Sequence, residues 1–384
     1  MLCIENAKVV LENGILWNGA ILIEDGRIRW VGDRADAKIP RGTKKIDAGG
    51  LYVGPGFVDL HVHAAGKTSL STDPLAGAEY YLRSGTTSIL PTPAYRMTKE
   101  QYVEAFDRVR KAMASGGIGK CIVGMYMEGP YINAKYGAAS HTSPWQGPIR
   151  AEDYEPLVDA AGDLVKVWMV APEREGILSF VQYAKKKNPA LRFSVGHSEA
   201  TPDQIAALKP YGLDHLTHCM DATGRVSLWD GTRGSGPDEA CFLDRDMFAE
   251  LISDSGAVHV SAWLQMLILQ NKGLDRVVLI TDASTVYDDA PEDLAKKYDD
   301  LNFNSLRQLS GSHLTMAQAC RNIMTHTNCG IAQAFLLASR NPARAIGMDR
   351  EIGTIEAGKR ANLVFTDDTF RIQRVMLEGE FPLE

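Results

Sequence analysis

Short apolar runs that close on a His, Glu or Asp constrain this chain more than any other feature. GFVDLHVH, CIVGMYMEG, RFSVGHS, LDHLTHC and RVVLITDA all have apolar bodies with an ionisable residue at or beside their ends. Together with TTSILPT, VKVWMVAPE and AVHVSA they make about eight strand-like runs. Helical patterns such as Lys99–Ala114, Ile177–Lys187 and Pro202–Leu208 separate several of them. Strands alternating with helices argue for βα units, and about eight of them for an α/β fold with a closed parallel barrel. At 384 residues the chain suits one large barrel with additions, or two or more domains, and a small binding module is excluded.

The two ends have a different texture. From Leu2 to about Val53, the runs AKVVLENG, AILIEDGRIRWVG and KKIDAGGLYVG alternate β-branched residues with turn signals. GTIEAGKRANLVFTD and FRIQRVMLEGE repeat that texture near the far end, so the ends are expected to share one sheet system. The acid-rich Asp288–Asp300 stretch reads as a solvated loop or helix.

Charge and cysteine content narrow the function. With 41 basic against 48 acidic residues the net charge is −7, which offers no electrostatic footprint for nucleic acid. Six cysteines form neither a CxxC pair nor a dense disulfide scaffold, which fits a reducing cytoplasm. Glu5 and Lys8 interrupt the place where a signal peptide needs an apolar run, and Val258 to Leu269 is too short to cross a bilayer. A soluble cytoplasmic protein without membrane partners is expected.

The run ends carry the chemistry. His61 and His63 stand two residues apart on a strand, so both imidazoles point to the same side. Glu128, His197, His218 and Asp282 close four further runs. Singly, each also reads as a core histidine, a loop acid or a helix cap. Jointly, in a chain with nine histidines, they point to a metal site at the C-terminal mouth of a barrel. Imidazole and carboxylate without thiolate suit Zn²⁺, Fe²⁺, Mn²⁺ or Co²⁺. There is room for one or two divalent ions, with Glu128 bridging, and for a water acidified enough to attack a carbonyl, which implies hydrolysis. Asp282 is placed as the general base.

The ordered blocks GPGFVDLHVHAAG, GTTSILPT, MEGPYIN, VAPE, GHSEAT, THCMDA, HVSA, ITDA, NPARAIGM and GTIEAGKRANLV resemble the amidohydrolase superfamily, and within it the N-acetylglucosamine-6-phosphate deacetylases, over nearly the whole chain. The resemblance implies a (β/α)₈ TIM-like barrel domain on 55–345, a small β-sandwich domain from 1–54 plus 346–384, and a homodimer. It assigns Glu128, His197 and His218 to the main metal site, His61 and His63 to a second-metal pair, and Asp282 to the catalytic carboxylate. Zn²⁺ is the leading metal. It places His259 and His141 on the substrate side, and sets Asp221 and Ala222 where the family's Asn-Ala pair holds a 6-phosphate.

That aspartate departs from the family pattern, because a carboxylate beside a phosphate dianion is repulsive. In the following loop, which also holds Arg225, Arg233 is the candidate anion contact. The implied reaction frees acetate and an amine from an N-acetyl amino sugar, foremost N-acetylglucosamine-6-phosphate. The alternative is the same chemistry on a non-phosphorylated or differently acylated amide. A non-catalytic scaffold is disfavoured, because all six candidate ligands are present. Cys219, beside His218, reads as a small core residue.

Overall fold

The chain opens with β1 (Leu2–Leu11), β2 (Gly14–Glu24), β3 (Arg27–Asp33), β4 (Lys44–Asp47) and β5 (Tyr52–Pro55), and then enters the barrel through β6 (Phe57–Val62). A small hairpin, β7 (Ala64–Ala65) and β8 (Thr68–Ser69), follows that first barrel strand. The remaining barrel strands are β9 (Thr86–Pro91), β10 (Met125–Met127), β11 (Val165–Val170), β12 (Arg192–Val195), β13 (Leu213–Leu216), β14 (Phe248–Ile252) and β15 (Val277–Ile280). This computed structural model describes residues 1–285, 294 and 297–383, and most of the acid-rich Asp288–Asp300 stretch lies outside the described residues.

β10 to β15 pair in sequence order, all parallel, and β6 pairs parallel with β9. A parallel bridge from Ile89 to Ile122 joins the two groups, and one from Val62 to Ala283 closes the ring. The Asp282 amide donates to the His61 carbonyl at 2.9 Å and the His63 amide to the Ala283 carbonyl at 2.8 Å along this closing seam. The result is the closed parallel (β/α)₈ barrel that the alternating runs predict.

The outer helices are α1 (Pro74–Arg83), α2 (Lys99–Ala114), α3 (Ala151–Ala161), α4 (Ile177–Lys187), α5 (Pro202–Leu208), α6 (Pro237–Leu243), α7 (Ala262–Lys272) and α8 (Met316–Thr327). The three helices expected from sequence, α2, α4 and α5, keep their expected bounds. α2 shows why: Thr98 and Gln101 form a reciprocal capping box, and Tyr102, Ala105, Phe106, Val109 and Ala112 bury one stripe against the barrel.

One strand differs from expectation. AVHVSA is not a strand; the seventh barrel strand is β14, FAELI, with all five residues buried. Asp254 accepts from the amides of Val258 and His259 at 2.9 and 3.0 Å, which bends 254–259 into a turn despite its β-branched residues. Glu250, in the middle of β14, masks the apolar signal of the true strand.

The two ends do share one sheet. β18 (Leu363–Thr366) and β19 (Ile372–Met376), preceded by the pair β16 (Leu301–Phe303) and β17 (Leu309–Ser312), bring the chain back. The terminal sheet has seven strands in the order β19-β18-β5-β1-β2-β3, with β4 also on β1. β1 pairs with β4 through Leu2–Glu5 and with β5 at Lys8 and Val9, so the sheet divides along it. Every strand contributes to one small core, including Ile4, Ile21, Ile28, Ile46, Val53, Phe365 and Met376.

Asp59 ties the barrel seam from inside. Its buried carboxylate accepts from Thr281 Oγ1 at 2.5 Å, and from the Thr281 and His61 amides at 3.3 and 3.4 Å. Burial pushes its pKa up to about 7. Asp59→Ala would strand these donors at about 1–3 kcal/mol for each buried group left unpaired. The variant is expected to melt several degrees lower by calorimetry with chelator present; an unchanged midpoint would show that the seam does not depend on Asp59.

Candidate metal centre

Every candidate ligand sits at the C-terminal end of its strand, where the barrel opens. His61 lies within β6 and His63 just after it, and Glu128 directly follows β10. His197, His218 and Asp282 each come two residues after their strand, in the left-handed backbone region with φ of 43°, 33° and 46°. Non-glycine residues there cost about 1–2 kcal/mol each, and such strain collects where a fold must aim a side chain. The sharp left-handed step turns each group inward over the barrel axis.

The side chains converge. His61 Nε2 and His63 Nε2 face each other at 3.2 Å, as do His197 Nε2 and His218 Nε2. Glu128 stands between the pairs, with Oε1 at 2.8 Å from His197 Nε2 and Oε2 at 3.4 Å from His63 Nε2. Two groups have donor atoms close enough to hold an ion: His61, His63 and Glu128, and Glu128, His197 and His218. Asp282 Oδ1 lies beside the first group, 3.1 Å from His63 Nε2 and 3.6 Å from His61 Nε2.

Hydrogen bonds at the far side of two rings fit the set to a metal. His63 Nδ1 lies 2.9 Å from the Thr92 carbonyl, and His218 Nδ1 lies 3.1 Å from the Asp221 carbonyl. A carbonyl only accepts, so each Nδ1 keeps its proton, and it is Nε2 that faces the cluster and frees its lone pair once its own proton leaves. This is the tautomer a divalent cation requires.

Electrostatics sharpen the point. Burial disfavours a charged His63, yet the hydrogen bond with Asp282 and the charge of Glu128 raise it to about 9. Burial is likewise outweighed at His218, which Glu128 and Asp221 raise to about 10. Burial dominates at His61 and pushes it down to about 4. Burial would raise Glu128, but hydrogen bonds from His197 and His218 hold it well below the usual carboxylate range. Burial also opposes ionisation of Asp282, and His61 and His63 nevertheless hold it low. Ionised carboxylates at the mouth therefore attract cations, and an ion must displace protons from His63 and His218.

Below the cluster lies a polar floor that the sequence reading missed. The Tyr126 hydroxyl lies 2.9 Å from Ser194 Oγ, 2.7 Å from Thr217 Oγ1 and 3.1 Å from Glu250 Oε2. Glu250, which burial raises to about 7, sits 4.0 Å from His61 Nδ1. Strand periodicity around Tyr126 and Ser194 would have flagged their inward faces, but Glu250 was hidden with its strand.

A cavity of about 540 Å³ opens above the cluster, and Asp221, Ala222 and His259 line it. His259 Nδ1 lies 3.0 Å from Asp254 Oδ2 and its Nε2 lies 3.1 Å from the Gly311 carbonyl, so both ring nitrogens meet acceptors. Burial disfavours the imidazolium, but the Asp254 hydrogen bond raises its pKa. His141 lies elsewhere, exposed on the short helical turn Ser140–Thr142 outside the cavity lining. Arg233 is also exposed and outside the lining, 3.5 Å from Glu239 Oε1, to which Arg225 Nε donates at 2.8 Å. Cys219 is fully buried with Sγ 3.8 Å from Asp238, and joins neither ligand group among the described residues.

Gly137 packs against the site without room for a side chain. A Cβ there would lie 2.4 Å from His197 Nδ1, and the residue has φ +91°. Gly137→Ala is expected to retain its circular dichroism while losing bound divalent metal at His197, read by plasma mass spectrometry; full metal content would show that the His197 ring tolerates the displacement.

Known proteins share this architecture. An N-acetylgalactosamine-6-phosphate deacetylase from Escherichia coli O157:H7 is 29% identical over 384 residues, covering 97% of each chain. An N-acetylglucosamine-6-phosphate deacetylase from Vibrio furnissii is 28% identical over 354 residues, covering 88% of this chain and 85% of that one. The crystal structure of N-acetylglucosamine-6-phosphate deacetylase from Pasteurella multocida superposes with a TM-score of 0.85 at 25% identity, over 99% of both chains. The amidohydrolase family model matches residues 52–381, and the chain belongs to that family.

Proposed function

We propose that this protein is a metal-dependent deacetylase that hydrolyses the acetamide of an N-acetyl amino sugar 6-phosphate to acetate and the free amine. The observation that carries this reading is the shared position of Glu128 between two histidine pairs, with Asp282 3.1 Å from His63. The cavity above them has the volume of a small-molecule site. The similar proteins named above act, by their names, on two epimers. N-acetylglucosamine-6-phosphate is our leading substrate.

In this reading His61 and His63 would hold one ion and His197 and His218 another, with Glu128 within reach of both pairs. Zn²⁺ suits the donors best, and Fe²⁺, Mn²⁺ and Co²⁺ accept the same set. Bound there, the metal supplies Lewis acidity toward the acetamide carbonyl and an acidified water. Asp282, held ionised at the mouth, is placed to take a proton from the attacking water and return it to the departing amine nitrogen. His259, Asp221 and Ala222 form the wall against which the sugar is oriented.

Asp221 favours a second reading, the same chemistry on a non-phosphorylated or differently acylated amide, because it puts an acidic residue in the cavity lining. We further read residues 1–54 with 346–384 as a β-sandwich domain beside a 55–345 barrel domain, supported by the separate core of the terminal strands. Exposed Leu228 and Trp229, in the loop after β13, support a homodimer. Six free cysteines support a cytoplasmic setting.

Asp282→Asn is expected to lower kcat by about 10²–10⁴-fold, the usual worth of a general acid–base, while metal content measured on the same sample changes little. Retained turnover would remove Asp282 from the reaction. Acetate release should be much faster from N-acetylglucosamine-6-phosphate or its galacto epimer than from the unphosphorylated sugars. Equal rates with and without phosphate would establish the second reading instead.

A further inference from the structure

We propose that Arg96 anchors the substrate's phosphate, on the side of the mouth opposite Asp221; the proposal rests on the deacetylase reading above. Among the described residues lining the cavity, Arg96 is the sole Lys or Arg. It follows β9, the second strand of the ring, whereas Asp221 follows β13, the sixth. In an eight-stranded ring those positions face each other across the axis, with the Glu128–histidine cluster between them.

The loop that carries Arg96 is fixed, yet its guanidinium is uncommitted. Tyr102 Oη donates to the Ala94 carbonyl at 3.0 Å, Ser143 Oγ to the Tyr95 carbonyl at 3.0 Å, and Trp145 Nε1 to the Met97 carbonyl at 2.7 Å. The Tyr95 ring packs edge-on against His197 with centroids 5.3 Å apart, and its hydroxyl donates to the Ala138 carbonyl. No hydrogen bond or ion pair engages the Arg96 side chain among the described residues. A fixed backbone sets Arg96 in the cavity lining, and its unpaired guanidinium is the lining's one permanent cation for an anion to meet among the described residues. Ser69 and Ser71, from the loop after the neighbouring first strand, line the same cavity and add hydroxyls.

The opposite wall offers a phosphate little. Asp221 repels it. His259 already directs its ring nitrogens at Asp254 and at the Gly311 carbonyl, so its donors are in use. Arg225 and Arg233 are spoken for by Glu239.

Arg96→Gln tests the assignment, because Arg96 is exposed and its replacement leaves the cluster and core untouched. The variant should raise KM for N-acetylglucosamine-6-phosphate by about tenfold or more, the worth of one charge-assisted hydrogen bond. Its kcat and its turnover of unphosphorylated N-acetylglucosamine should stay within a factor of a few, and Arg96→Lys should recover part of the loss. An unchanged preference for the phosphorylated sugar in Arg96→Gln would overturn the proposal. Calorimetric titration of glucosamine 6-phosphate decides the same point without turnover. Binding by the wild type that weakens about tenfold in Arg96→Gln supports the anchor even if no acetyl sugar is hydrolysed. Equal binding by both proteins, or binding by neither, overturns it even if the deacetylase reading stands.

Discussion

The seam between β6 and β15 is the constraint on which the rest depends. Asp282 donates its amide to the carbonyl of His61, and Ala283 accepts from His63, so the first and last residues of the site are neighbours because the barrel closes there. Each such bond contributes about 1 kcal/mol net. Their cooperative effect is larger, since an open parallel sheet of eight strands would leave two unpaired edges and no common axis. Asp59, reaching from β6 to Thr281, closes the same seam from the interior. The fold brings distant segments of the chain to one point, and the carboxylate of Glu128 is where they meet.

Much of this was legible in the residues because parallel barrel strands are buried on both faces and read as continuous apolar runs. A polar residue at the end of such a run stands out. That logic located His61, His63, Glu128, His197, His218 and Asp282, and the structure brings all six together. It failed at AVHVSA, because apolar periodicity does not register that the Asp254 carboxylate competes for two backbone amides and makes a turn. The same logic passed over β14, since a buried Glu250 breaks the pattern that it relies on.

Loops were harder to read than strands, for a physical reason. A strand's register fixes where its side chains point, but the position of a loop residue depends on contacts made far away in sequence. His141 and Arg233 read as site residues and lie exposed outside the cavity lining, whereas Arg96, which no local pattern distinguishes, lines it. The left-handed turns at His197, His218 and Asp282 were equally invisible, because none is a glycine.

The barrel interior carries an unusual burden of buried charge. Asp59 and Glu250 are pushed toward neutrality by burial, while Glu128 and Asp282 remain ionised because histidines face them. This division separates the deep carboxylates from those at the mouth by their surroundings alone. Those deep in the barrel are kept near neutral and share hydrogen bonds with Thr281 or Tyr126. Those at the mouth keep their charge, and His63 and His218 supply the compensating protons. Protons and a divalent cation thus neutralise the same carboxylates, and a metal that binds there takes the place of protons on His63 and His218.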